Sequence, residues 1–300
     1  MAEANEIRKP ARTHRIDVHP EERRPGTVEG LAIERKGPIL ILTLDRPQLH
    51  NAISFAMWDE LARVLSEITY DRGIRAVLLK GNGRSFCSGT DIGDLGTEVA
   101  DAPERRASRT IQRMRTVSTV IESMTNMPKP IIAAVNGVAA GAGMGLALAA
   151  DLIVAGRGAW FKVATVSLGS MPDAGIPMQL HWSLGMRRTK QICLLDERID
   201  VDSAEGARLV NWVVPEEEVD GFALSIAERV TKMPQGLAGQ IKKAVNALPD
   251  RSLVEHLMHE GMDVGTRVQD SGYIDEVERF VSGRGSTVPK NEEKGGHDGE

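Results

Sequence analysis

Four glycines fall within nine residues of this 300-residue chain, at Gly137, Gly141, Gly143 and Gly145 in the segment VNGVAAGAGMGLALAA from Val135 to Ala150. In an ordinary helix or strand each costs roughly 0.5–1 kcal/mol relative to alanine, so this density calls for close approach by another backbone or by a ligand. The segment reads as a strand exit opening into a helix, where unpaired N–H groups attract negative charge. A second strand exit, LLKGNGRSFCSGTDI from Leu78 to Ile92, has a Gly-Asn-Gly turn and then the small residues Ser88, Gly89 and Thr90. Two such exits with bare backbone fit a paired oxyanion hole, two N–H donors facing one developing negative charge. Tight packing without a ligand is the other use of the glycines.

Asp173, in MPDAGIP, stands just before an apparent helix start and suits a general acid–base role, a helix cap, or substrate or water binding. His50, His181, His256 and His259 show no metal-ligand spacing and read as surface or loop positions. Trp182, beside His181, reads as pocket lining or as core packing. Cys87 and Cys193 form neither a disulfide framework nor a zinc motif, which suits a reducing cytoplasm. No metal or cofactor is expected.

These segments need a scaffold of alternating strands and helices. LAIERKG and ILILTLD read as a hairpin-like pair around Lys36-Gly37-Pro38. A helix is predicted from Ser54, because Phe55, Trp58, Leu61, Leu65 and Ile68 recur at three- and four-residue spacing. AVLL is a third strand, Ala107 to Met124 an amphipathic helix, and IIAAV, LIVAG and the segment from Trp160 further strands. From Ala223 the pattern is helical through FALSIAERVTKM, GLAGQIKKAVNAL, SLVEHLMHEGMDV and YIDEVERFV.

With 41% hydrophobic residues the chain can bury one large core. A net charge of −5 argues against a general nucleic-acid binder, and the absence of a long apolar run argues against a membrane span. Residues 1–28 and 282–300 are too polar to pack and are expected to be flexible arms. Between them lie an expected core over 29–222 and a helical region over 223–281.

Together with ILTLDRPQLHNAIS from Ile41 to Ser54, the two strand exits resemble the crotonase family, the enoyl-CoA hydratase/isomerase superfamily, over most of the chain from about Leu31 to Phe280. The resemblance implies an α/β fold, a spiral of repeated ββα units, with C-terminal helices that build a homotrimer or hexamer. It implies that coenzyme A enters as the thioester substrate and that the enolate is held by the N–H groups of Thr90 and Ala142, with Ser88, Gly89 and Gly141 around them. Family hydratases commonly use two glutamates; Gly145 and Thr165 stand at those positions here, and neither can act as a carboxylate base. The position of Asp173 resembles that of an aspartate used by family isomerases and a dehalogenase, so isomerisation of an acyl-CoA double bond through Asp173 is the expected chemistry. A non-catalytic acyl-CoA binder and a weak hydratase or thioester hydrolase are the alternatives. The turn at Pro47 to Asn51, including Gln48 and His50, is implied to contact CoA, with Arg46, Lys80 and Arg84 as candidate phosphate neighbours. Asp91 is expected to hold its own loop, and Asp94, Glu98 and Asp101 lie in the segment that follows, a wall of the acyl pocket in the family.

Overall fold

The computed structural model describes residues 28–203 and 205–283. The expected arms therefore lie almost wholly outside the described residues. Strand β1 (Leu31–Lys36) pairs antiparallel with β2 (Ile39–Leu44) across the predicted turn, where Gly37 adopts φ 57°. Helix α1 (Phe55–Ile68) starts where predicted: Ser54 Oγ accepts the Met57 N–H at 3.2 Å, and Trp58, Leu61, Leu65 and Ile68 are buried.

Strand β3 (Ala76–Gly81) is followed by α2 (Ile92–Val99) and α3 (Pro103–Asn126), then by β4 (Ile131–Val135), β5 (Val138–Ala140) and α4 (Ala142–Leu148). Strands β6 (Leu152–Gly156) and β7 (Trp160–Lys162) lead to α5 (Ile176–Leu184), α6 (Met186–Leu195), β8 (Arg198–Asp200), α7 (Gly206–Leu209) and β9 (Trp212–Val214). The chain closes with α8 (Val219–Thr231), α9 (Leu237–Asn246), α10 (Leu253–Arg267) and α11 (Ser271–Val281).

The six-stranded sheet has the order β1-β2-β3-β4-β6-β9 and is parallel from β2 onward. Because side chains alternate across a strand, β3 and β4 serve two cores at once. Val77, Leu79, Ile131, Ala133 and Val135 join the larger core with α1 and α3, whereas Ala76, Leu78, Ile132 and Ala134 pack on the other face against Ala223, Ile226 and Ala227 of α8. The expected core boundary after residue 222 thus falls inside α8, whose buried stripe belongs to the sheet.

A second layer, β5-β7-β8, is extended by two isolated bridges, Cys87 to Ala139 and Ile53 to Thr90. Successive ββα units therefore place one strand in each layer, and the loop after β3 enters the second layer beside β5. Helix α9 is tied to this body by Lys242, whose Nζ donates to Met124 O at 2.5 Å and pairs with Asp151 at 2.8 Å. Helices α10 and α11 have no buried residue. Trp182 is 51% exposed, so it is not core.

Candidate active site

The loop that leaves β3 is fixed by buried Asn51, which lies beyond β2 in the left-handed conformation at φ 56°. Its Nδ2 donates to Asn82 O at 2.8 Å and to Ser85 O at 2.6 Å, and its Oδ1 accepts the Arg46 N–H at 2.9 Å. Neighbouring His50, also left-handed at φ 49°, places Nδ1 2.9 Å from Ser85 Oγ and accepts the Ser88 N–H at 3.0 Å through its carbonyl. The turn carrying Gln48 and His50 and the loop carrying Ser88, Gly89 and Thr90 are thereby one unit, with Gln48 and Ser88 exposed.

Extended backbone alternates its N–H groups between two sides. Ile53 N–H donates to Gly89 O at 2.8 Å and Asp91 N–H donates to Ile53 O at 2.9 Å, so the intervening Thr90 N–H faces away from Ile53. It has no acceptor among the described residues. On the second loop, Gly141 N–H donates to Lys162 O at 3.0 Å, and Ala142 opens α4 with no acceptor for its N–H among the described residues, the first intrahelical donor being Gly145.

Glycines allow the two loops to touch. A methyl group on Gly89, which has φ 109°, would stand 3.0 Å from Ala140 O and 3.6 Å from the Ala142 nitrogen. One on Gly143 would stand 2.6 Å from Cys87 Cβ. Cys87 joins the loops from beneath: its N–H donates to Val138 O at 3.0 Å and its carbonyl accepts the Ala140 N–H at 2.9 Å. Burial pushes its thiol up to about 12, so it is neutral packing material rather than a nucleophile. Two unpaired N–H groups on abutting loops can bind an oxyanion with no side chain involved.

Gly145 lies one turn into α4. A Cβ there would meet Ala174 Cβ at 2.5 Å and Ala174 O at 2.6 Å, so the loop carrying Asp173 rests on the bare face of this helix. Ala174 is left-handed at φ 49°, a conformation that costs a non-glycine residue about 1–2 kcal/mol and is sustained by the surrounding contacts. Asp173 does not cap α5: Gly175 is the N-cap and no side chain accepts a capping bond. Burial raises the pKa of the half-buried Asp173 carboxyl, and the positive charge of Arg113 on α3 partly opposes this. Thr165 follows left-handed Ala164 (φ 61°), whose N–H is held by Asp196 Oδ1 at 2.7 Å. The Thr165 hydroxyl is buried and has no hydrogen-bond partner among the described residues.

Other expectations resolve differently. Arg46 is committed to Asp91 at 2.6 Å and to Ala52 O at 2.9 Å, and Lys80 pairs with Asp220, which leaves Arg84 as the exposed cation of the three. Asp91 does hold its loop, accepting the Gly93 N–H at 2.7 Å as the cap of α2. Asp94 accepts the Phe55 N–H at 2.7 Å, Glu98 pairs with Arg113 at 3.1 Å, and Asp101 pairs with Arg109 at 2.9 Å, so all three carboxylates after the loop have structural partners. Sequence reasoning placed Asn51 in the turn that contacts CoA but missed its hold on the loop after β3, and it missed Arg113 altogether. The tolerance of asparagine for left-handed backbone at a strand exit is a usable signal for the first, whereas nothing local marks Arg113.

The two-layer spiral with its abutting donor loops is the architecture of the crotonase enzymes, and comparison with known proteins agrees. The sequence profile of the enoyl-CoA hydratase/isomerase family matches residues 34–278. A probable enoyl-CoA hydratase from Rhodobacter capsulatus is 33% identical over 82% of this chain and 92% of its own length. The 1,2-epoxyphenylacetyl-CoA isomerase of Escherichia coli K12 is 32% identical over 82% of this chain and 93% of its own length. The crystal structure of an enoyl-CoA hydratase from Polaromonas sp. JS666 superposes with a TM-score of 0.79 at 29% identity, covering 87% of this chain and 98% of that one. The chain belongs to the enoyl-CoA hydratase/isomerase family.

Proposed function

We propose that the chain is an acyl-CoA isomerase that shifts a double bond through an enolate. The observation that carries this reading is the seating of the Asp173 loop on Gly145, which sets a half-buried carboxylate beside the helix that begins with Ala142 and fills the space a residue-145 side chain would need. Asp173 takes a proton from one carbon of the acyl chain, the thioester oxygen gains charge between the Thr90 and Ala142 N–H groups, and Asp173 returns the proton two carbons away. One carboxylate suffices for both transfers. Gly145 and Thr165 supply no second one, in keeping with isomerisation rather than addition of water. Ser88, Gly89 and Gly141 line the approach to the donors, Gln48 and His50 contact the CoA portion, and Arg84 is the cation available to its phosphates.

A second reading has one observation in its favour. The unpartnered Thr165 hydroxyl offers a hydrogen bond to a water, which permits weak hydration or thioester hydrolysis from the same site. Self-association into a trimer or hexamer gives the exposed apolar faces of α10 and α11 a partner. The two free cysteines suit a cytoplasmic enzyme.

The test is exchange of acyl-chain protons with heavy water for a panel of 2-enoyl- and 3-enoyl-CoAs, with native protein and Asp173→Asn. The expected result is exchange and double-bond migration in the native protein and their loss in the variant. Incorporation of labelled solvent oxygen without migration supports the second reading, and binding of every thioester without exchange leaves an acyl-CoA-binding protein.

A further inference from the structure

A cavity of about 160 Å³ lies at the end of the sheet opposite the oxyanion loops. Arg75 enters β3 and Lys129 precedes β4, whereas Thr90 and Ala142 lie beyond the other ends of these strands, so roughly 17 Å of parallel sheet separates the two places. The wall combines three cations, Arg72, Arg75 and Lys129, with the first turn of α9, and no carboxylate lines it among the described residues.

Lys129, 7% exposed, gives two of its three donors to Asp71 O at 2.7 Å and Ile74 O at 2.8 Å, both carbonyls rather than carboxylates. Burial lowers its pKa, and the charge of Asp71 opposes this without cancelling it. The half-buried Arg75 donates through Nη2 to Met233 O, and burial lowers its pKa with no opposing carboxylate. Arg72 is exposed and has no ion pair among the described residues. Like charges gathered without an anion repel one another, and a bound oxyanion removes that cost.

Helix α9 contributes independently. Leu237 N–H donates to Pro234 O at 3.2 Å and Gln240 N–H to Gly236 O at 3.1 Å, but the N–H groups of Ala238 and Gly239 between them have no acceptor among the described residues, and no side chain caps this end. A Cβ on Gly239 would stand 2.5 Å from Pro128 O, so the turn is pressed on the segment that carries Lys129. Free N–H groups and the positive end of the helix dipole favour an anion. The volume is that of about five waters, room for one tetrahedral oxyanion and not for a nucleotide.

We propose that this cavity binds a phosphate group, either inorganic phosphate or the head of a small phosphomonoester, between the Arg72 and Arg75 guanidinium groups and the Ala238 and Gly239 N–H groups. Lys129 adds its charge from the buried side. The site is separate from the acyl-CoA reading and stands or falls without it.

Titration calorimetry of the full chain, at an ionic strength held constant with sodium chloride, tests it with inorganic phosphate and with glycerol 3-phosphate. Saturable binding of one phosphate per chain is expected. Tighter binding of glycerol 3-phosphate identifies the ligand as a monoester, and equal or weaker binding identifies it as inorganic phosphate. Arg75→Gln should weaken binding about 10-fold or more, as loss of a charge-assisted hydrogen bond does. Arg72→Glu, at an exposed position, should abolish it and serves if the Arg75 variant does not fold. Arg84→Ala, which removes the exposed cation in the loop after β3, should leave the affinity unchanged. Absence of saturable binding, binding unaffected by Arg72→Glu, or loss of binding in Arg84→Ala overturns the proposal.

Discussion

At the scale of the residue, Asp173 joins a catalytic expectation to a stability one. Its folded-state pKa lies above the unfolded value because burial penalises the charged form. In the proposed isomerisation Asp173 takes the proton in its ionised form, so the rate of exchange is expected to rise with pH through this raised pKa. Stability runs the other way: the neutral form suits the site, and that contribution is present at low pH and lost as pH rises through the folded pKa. Asp173→Asn should therefore melt at the same or a higher temperature than native protein at pH 7, with the difference vanishing in acid, while its exchange activity is lost. A variant that melts lower at pH 7 would show that the carboxylate serves the fold. The position of Asp173 was legible from MPDAGIP, but its freedom from capping was not, since aspartate before a helix so often accepts the first N–H groups. Arg113 was illegible for a different reason: its effect on Asp173 depends on where α3 crosses the loop before α5, and no local pattern encodes that crossing.

Elements bring these residues together through small contacts. Gly145→Ala is expected to push Ala174, costing roughly 1–3 kcal/mol as an overpacked core position does, and to lower kcat more than it raises KM because Asp173 moves with its neighbour. Denaturant unfolding and steady-state kinetics check the two halves; a variant with unchanged kcat would detach Asp173 from the reaction. The strands and long helices could be read in advance because β1, β2 and α1 follow periods of two and 3.6 residues. Helix α2 could not: IGDLGTEV contains two glycines and only Glu98 of its residues is buried, so it owes its form to the Asp91 cap and to contact with α3. The register of the loop after β3 against β5 was equally hidden, because it comes from the Cys87 to Ala139 bridge between segments more than fifty residues apart in the chain.

For the whole molecule, the uneven distribution of burial is the feature with consequences. Both faces of β3 and β4 are covered, yet Leu253, Val254, Leu257, Met258 and Met262 on α10 and Phe280 and Val281 on α11 are more than half exposed. Leu257→Asp together with Met258→Asp is expected to shift the protein toward monomer in sedimentation velocity, whereas an unchanged sedimentation coefficient places any self-association elsewhere. The contact between Gly145 and Ala174 also bears on how this sequence can change. A glutamate at 145 has no room while the loop stays where it is, and displacing the loop carries Asp173 away. Any path from this chain to a two-glutamate site must then remodel residues 173–175 first, through intermediates with neither carboxylate in position. The order of the substitutions, and not only their number, separates the two chemistries.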